Sequence, residues 1–250
     1  MIDTHAHIHF DSFAGQVDAM LHRAFEAGVE QMITVGVTTA DSRKAVDLAS
    51  TYENVWAAVG IHPHDAGEAS QGIDYLRDLA GRRKVVAIGE CGLDQVKSQT
   101  TAEEQEKALR LQIELAQERK LPLIFHIREA FEPFWAIIDD YPDVRGVVHS
   151  FSATRKEAEQ VIERDMLLGI NGIVSFPKSQ DLGEAVKYLP STHLLLETDC
   201  PFLSPVPFRG KTNEPARVTN IAEKIAELRG ETLATVAAYS TANAKRLFSL

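Results

Sequence analysis

His5 and His7 form a His-x-His pair near the start of the chain, and His62 and His64 form a second across Pro63. Glu90, His126, His149 and Asp199 follow at wide intervals. Imidazole nitrogen and carboxylate oxygen are the usual ligands of borderline-to-hard divalent ions. Two histidines one residue apart on an extended strand project to the same side, so both rings can reach one ion. A lone histidine at a strand end is ordinarily satisfied by a backbone carbonyl, whereas several converging on one rim point to a metal. Six donors, His5, His7, Glu90, His126, His149 and Asp199, suit a pair of divalent ions such as Zn²⁺, Mn²⁺ or Mg²⁺.

The elements that must position these side chains can be read from the same sequence. Runs rich in Val, Ile and Leu at 1–5, 31–37, 55–61, 84–90, 121–126, 145–149, 166–173 and 192–198 predict strands. Amphipathic stretches at 13–27, 39–52, 72–83, 101–118, 129–141, 154–165, 182–188, 215–229 and 231–248 predict helices. Strict alternation predicts parallel strands joined by crossover helices. Eight such units in 250 residues is the size of an α/β (β/α)8 TIM barrel, whose site lies at the carboxyl ends of its strands. An open doubly wound sheet also alternates, but usually carries a Gly-rich phosphate turn after its first strand. The segment here reads Thr4-His5-Ala6-His7-Ile8-His9. With no linker or low-complexity tract, residues 1–250 are expected to form one domain. Six of the nine histidines, with Glu90 and Asp199, fall at predicted strand ends.

Composition narrows the function. Hydrophobic residues make up 44% and charged residues 25%, as in an ordinary folded domain. Acidic residues outnumber basic ones, 36 to 26, which argues against coating nucleic acid or anionic membrane through the overall field. Nucleic acid is admitted only at a local site. There is no export signal, no run of about 18 apolar residues, and only Cys91 and Cys200, too few for a disulfide framework. The expectation is a cytoplasmic enzyme with no membrane partner and no obligate protein partner.

Longer motifs carry a resemblance. Ile2-Asp3-Thr4-His5-Ala6-His7-Ile8, Gly60-Ile61-His62-Pro63-His64, Ala87-Ile88-Gly89-Glu90-Cys91-Gly92-Leu93-Asp94, Val148-His149-Ser150-Phe151-Ser152 and Leu195-Leu196-Glu197-Thr198-Asp199-Cys200-Pro201-Phe202-Leu203 stand in order, with 121–130 and 209–215 between and after them. Together they resemble the TatD family of metal-dependent deoxyribonucleases, amidohydrolase-like metal barrels, over nearly the whole chain. The resemblance implies that His5, His7 and Asp199 hold one ion, His126 and His149 a second, and Glu90 bridges them. It implies a DNA exonuclease, 3'-5', acting on short single strands or frayed ends. Gln95 stands where the family usually has tyrosine, and Cys91 where it often has isoleucine.

Two such ions clamp a phosphodiester and acidify the attacking water. Asp199 is expected to orient that water and accept its proton, so Asp199 and Glu90 are the catalytic carboxylates. Strand alternation places Glu197 below Asp199 and Asp3 below His5, where each is expected to fix the tautomer of a ligating imidazole. His62, His64, Arg128, Arg209 and Lys211 are expected to contact substrate, and Asn213 to cap the following helix. His9, His22 and His193, the two cysteines, and Phe125, Phe151 and Phe176 read as structural. The alternative function is hydrolysis of another ester or amide on the same metals, such as D-aminoacyl-tRNA or a small lactone.

Overall fold

The computed structural model describes residues 1–96 and 99–250. In chain order its elements are β1 (Ile2–Ala6), α1 (Val17–Glu26), β2 (Gln31–Val35), α2 (Thr39–Thr51), β3 (Val55–Val59), α3 (Ala69–Ala80), β4 (Val85–Asp94), α4 (Ala102–Arg119), β5 (Leu123–Arg128), α5 (Phe131–Ile138), β6 (Gly146–Val148), α6 (Arg155–Glu163), β7 (Leu167–Ile170), α7 (Gln180–Tyr188), β8 (Leu194–Leu196), α8 (Val218–Arg229) and α9 (Leu233–Phe248). The strands form one sheet in the order β1 to β8. The pairs β1–β2, β3–β4, β4–β5, β5–β6 and β7–β8 are parallel, and Ala6 bridges Cys200 just beyond β8. This is the (β/α)8 TIM-barrel fold. No helix among the described residues is long and apolar enough to cross a membrane.

Two compact units divide the chain: a terminal unit of Met1–Thr34 with Ser150–Leu250, and a central unit of Val35–His149. In the terminal unit β1, β7 and β8 are buried along their whole length. Strands covered on both faces read as apolar runs, which is why Leu194–Leu196 is continuous leucine. In the central unit α4 starts on a capping box, Thr101 with Glu104. One turn of α4 then fixes the segment leading to the second histidine pair. The buried Gln112 amide accepts from Ile61 N (2.8 Å) and donates to Ile61 O (3.0 Å).

Element boundaries differ from expectation where the site needs them to. β4 runs four residues past Glu90 because Cys91 to Asp94 keep pairing with Phe125 to Arg128. Gly92 permits this: a Cβ there would lie 1.9 Å from the His126 carbonyl oxygen, and its φ is +148°. β8 is shorter, ending at Leu196 rather than 198. Thr198 N donates to the Asp3 carboxylate (2.9 Å) instead of to a strand, and Asp199 adopts a left-handed φ of 56°. Simple alternation therefore does not extend through Asp199. Asn213 is not a helix cap: its amide donates to Thr198 O (2.9 Å), and a 3-10 turn, Pro215–Arg217, precedes α8.

Candidate metal centre

In the terminal unit the first histidine pair meets the last carboxylate. His7 Nε2 lies 3.4 Å and His5 Nε2 3.7 Å from Asp199 Oδ1, with both rings buried. The His5 and His7 rings stand edge to face, with centroids 5.1 Å apart. Backbone bonds set this meeting. Asp199 N donates to His5 O and His7 N to Cys200 O, both at 2.8 Å, so each segment registers the other. The His7 ring stacks on Phe10, centroids 4.6 Å apart, which limits its rotation.

Two further carboxylates lie beneath. Asp3 accepts from Thr198 N (2.9 Å), from Thr198 Oγ1 (2.6 Å) and weakly from His5 N (3.4 Å). It therefore grips the backbone next to His5 and Asp199 rather than an imidazole, which corrects the tautomer-fixing role expected for it. Complete burial outweighs these hydrogen bonds and pushes its carboxyl up to about 8. Glu197 accepts from Ser150 N at 2.6 Å, and a donor atom of its carboxylate lies within 4.8 Å of a His5 nitrogen. Its space is reserved by Gly169, where a Cβ would come within 2.1 Å of Oε2.

The central unit builds its cluster from side chains. Glu90 Oε1 lies 2.8 Å from His126 Nδ1, 2.8 Å from His149 Nε2 and 3.6 Å from His62 Nε2. Burial opposes charge on Glu90, but the His149 and His62 rings and the hydrogen bonds from His126 and His149 hold its carboxyl well below the usual carboxylate range. Burial acts against protonation of His126 too, and there the Asp94 and Glu90 carboxylates win, raising its pKa. At His62 burial prevails and lowers the pKa to about 3.

Asp94 escaped the sequence reading. Buried at the end of β4, it accepts from His64 Nε2 at 2.8 Å and lies 3.4 Å from His126 Nε2 and 4.0 Å from Arg128. Gln105 of α4 clamps its backbone, Oε1 to Asp94 N (2.9 Å) and Nε2 to Asp94 O (3.2 Å). The signal was present as the Asp94 within the resembling motif, but the predicted strand stopped short of it.

The outer substrate candidates are more exposed. Arg128 is about half exposed. The Arg209 guanidinium lies over the Phe176 ring at 3.9 Å. Lys211 sits over Phe208 at 5.9 Å, and with Arg209, Phe176, Ser204 and Thr212 lines a cleft of about 390 Å³. Both basic residues thus belong to one surface of the terminal unit. Cys91 and Cys200 are buried free thiols, as expected.

The donor chemistry fits divalent ions in both units. Two imidazoles with one carboxylate, as His5, His7 and Asp199 and again as His126, His149 and Glu90, are the mixed nitrogen and oxygen sets such ions take. His62, Glu90 and His126 present one atom each within 4.8 Å of one another. A (β/α)8 scaffold carrying such clusters at its strand ends defines a class, the metal-dependent hydrolases. The chain matches the family model described as TatD related DNase over residues 2–249, and it belongs to that family. It is 37% identical over 253 residues to a metal-dependent hydrolase of Bacillus subtilis, YabD, covering all of this chain and 99% of that one. It is 35% identical over 258 residues to the 3'-5' ssDNA/RNA exonuclease TatD of Salmonella typhimurium, with the same coverage. The crystal structure of YJJV, a TatD homologue of Escherichia coli K12, superposes with a TM-score of 0.94 at 31% identity, covering 100% of this chain and 98% of that one.

Proposed function

We propose that this hydrolase is an exonuclease that removes nucleotides from single-stranded or frayed DNA ends, with residues 1–250 acting as one catalytic domain in the cytoplasm. The observation that carries the reading is the full-length similarity to an enzyme named as a 3'-5' ssDNA/RNA exonuclease. His5, His7 and Asp199 would hold one ion and His126 and His149 a second, with Glu90 as a further ligand, for Mg²⁺, Mn²⁺ or Zn²⁺. Bound there, two divalent ions supply the positive charge that acidifies a water and neutralises phosphate oxygens. Asp199 orients the attacking water and takes its proton, its position set by the Asp3 to Thr198 clamp. Glu90 stays ionised under its three imidazoles and so remains a ligand at neutral pH. His62, His64, Arg128, Arg209 and Lys211 contact phosphate, and Glu197 steadies His5 from below.

The test strips the protein of metal, restores Mg²⁺, Mn²⁺ or Zn²⁺ separately, and follows single-stranded DNA, duplex DNA, RNA, aminoacyl-tRNA and simple lactones in parallel. Metal-dependent release of mononucleotides from the 3' end is the expected result. Turnover of aminoacyl-tRNA or a lactone with none of nucleic acid would assign the other hydrolase chemistry. Asp199→Asn tests the proton acceptor: a variant that keeps both its metal and full turnover removes that role.

A further inference from the structure

His62 can be read as a metal ligand, since one of its nitrogens lies within 4.8 Å of donor atoms of Glu90 and His126. Its other nitrogen decides against this. Pro63 occupies the first position of the 3-10 turn Pro63–Glu68 and has no N–H, so the first amide in need of a partner is that of His64. The His64 backbone N–H donates to His62 Nδ1 at 3.1 Å, which makes the imidazole the cap of that turn. A nitrogen that accepts a hydrogen bond carries no proton, and a neutral imidazole carries one, so the proton sits on Nε2. Ligating histidines show the reverse arrangement, in which the nitrogen away from the metal donates. An ion at Nε2 would require an imidazolate.

The capped ring is also well anchored. His64, which supplies the capping amide, is tied through its own Nε2 to Asp94 at 2.8 Å. Gln112 fixes Ile61 on the other side. The His62 Nε2–H faces Glu90 Oε1 at 3.6 Å, beyond hydrogen-bond range, and the side chain keeps 12% of its surface open.

We propose that His62 stays outside the metal shell and presents its Nε2–H to a non-bridging phosphate oxygen of the substrate, its tautomer fixed by its service as the cap. This rests on the reading of the site as a phosphodiesterase. It is a fixed neutral donor, of the kind that stabilises charge developing on a phosphoryl oxygen without reorganising.

His62→Asn separates the two duties, because asparagine is a strong cap but carries no donor at the Nε2 position. The metal-loaded variant should keep the wild-type unfolding midpoint and metal stoichiometry. Its turnover of single-stranded DNA should fall ~10²–10³-fold, and its affinity for inorganic phosphate about tenfold. His62→Gln, which returns an N–H near that place, should recover part of both losses. Ring ¹⁵N shifts of wild-type protein, metal-free and loaded, should show Nε2 protonated in both states. Loss of an ion in the asparagine variant, unchanged turnover and phosphate affinity, or a proton on Nδ1 would each overturn the proposal. If the wild type cleaves no nucleic acid but the asparagine variant still binds phosphate more weakly, the exonuclease reading fails and the donor assignment stands.

Discussion

The terminal and central clusters use the same residue types and are held in different ways. Around Asp199 the order comes from backbone: Asp199 N on His5 O, His7 N on Cys200 O, and the Asp3 carboxylate on Thr198. Around Glu90 the β4–β5 pairing sets the strands, but the ring contacts run between side chains, three imidazoles on one carboxylate and a second carboxylate, Asp94, beside His126 and on His64. A frame built of backbone keeps its geometry when one side chain is changed. A frame built of mutual charge loses its partners together, because each buried group is compensated by the others. Damage should therefore stay local in the terminal cluster and, when a carboxylate that the rings share is changed, spread in the central one.

Glu90→Gln is the sharpest way to break the contrast. It removes the charge that His62, His126 and His149 share, and turnover should fall ~10²–10³-fold, with metal content measured on the same sample dropping as well. A variant with intact metal content would show that the central frame does not depend on mutual charge. In the terminal unit, Glu197→Gln should weaken metal affinity by ~10–100-fold while the remaining ions stay bound, as read by chelator competition. If the affinity is unchanged, Glu197 only carries Ser150. Asp94→Asn should cost about tenfold in metal affinity, and should loosen His64 and His126 together, visible as paired changes in their ring resonances. The smallest effect is on stability. His126 has a folded pKa raised above its ordinary 6.5 by Asp94 and Glu90, so its contribution is fully present below pH 6.5 and is lost as pH rises through the raised value. Unfolding midpoints of metal-free wild type should decline over that window, and the decline should flatten in His126→Gln.

The sequence made several strand ends legible because a polar residue comes directly after an apolar run, as Ile61 precedes His62 and Val148 precedes His149. The same rule found His126, whereas His5, Glu90 and Asp199, preceded by Thr4, Gly89 and Thr198, stood out as ionisable residues at the ends of predicted strands. It failed where the backbone departs from a plain strand. Asp94 was hidden because Gly92 lets β4 continue past Glu90, and no hydrophobic pattern reports a carbonyl packed against a missing Cβ. Asp3 was placed in the right region with the wrong partner, since the left-handed turn at Asp199 brings Thr198, and not a ring, above it. Gln105 and Gln112 look like ordinary polar residues of an amphipathic helix, and only the fold turns their amides inward onto Asp94 and Ile61.

Those two glutamines make α4 a gauge for the site. They lie seven residues apart on one face, close to two turns of helix, and each bonds one strand-end segment through both its amide oxygen and nitrogen. Inserting a single residue between them would rotate one about 100° relative to the other, so that only one segment could stay engaged. Loop grafts or insertions intended to change what this enzyme accepts should leave the spacing from Gln105 to Gln112 untouched, because it times the arrival of the second histidine pair against that of Asp94.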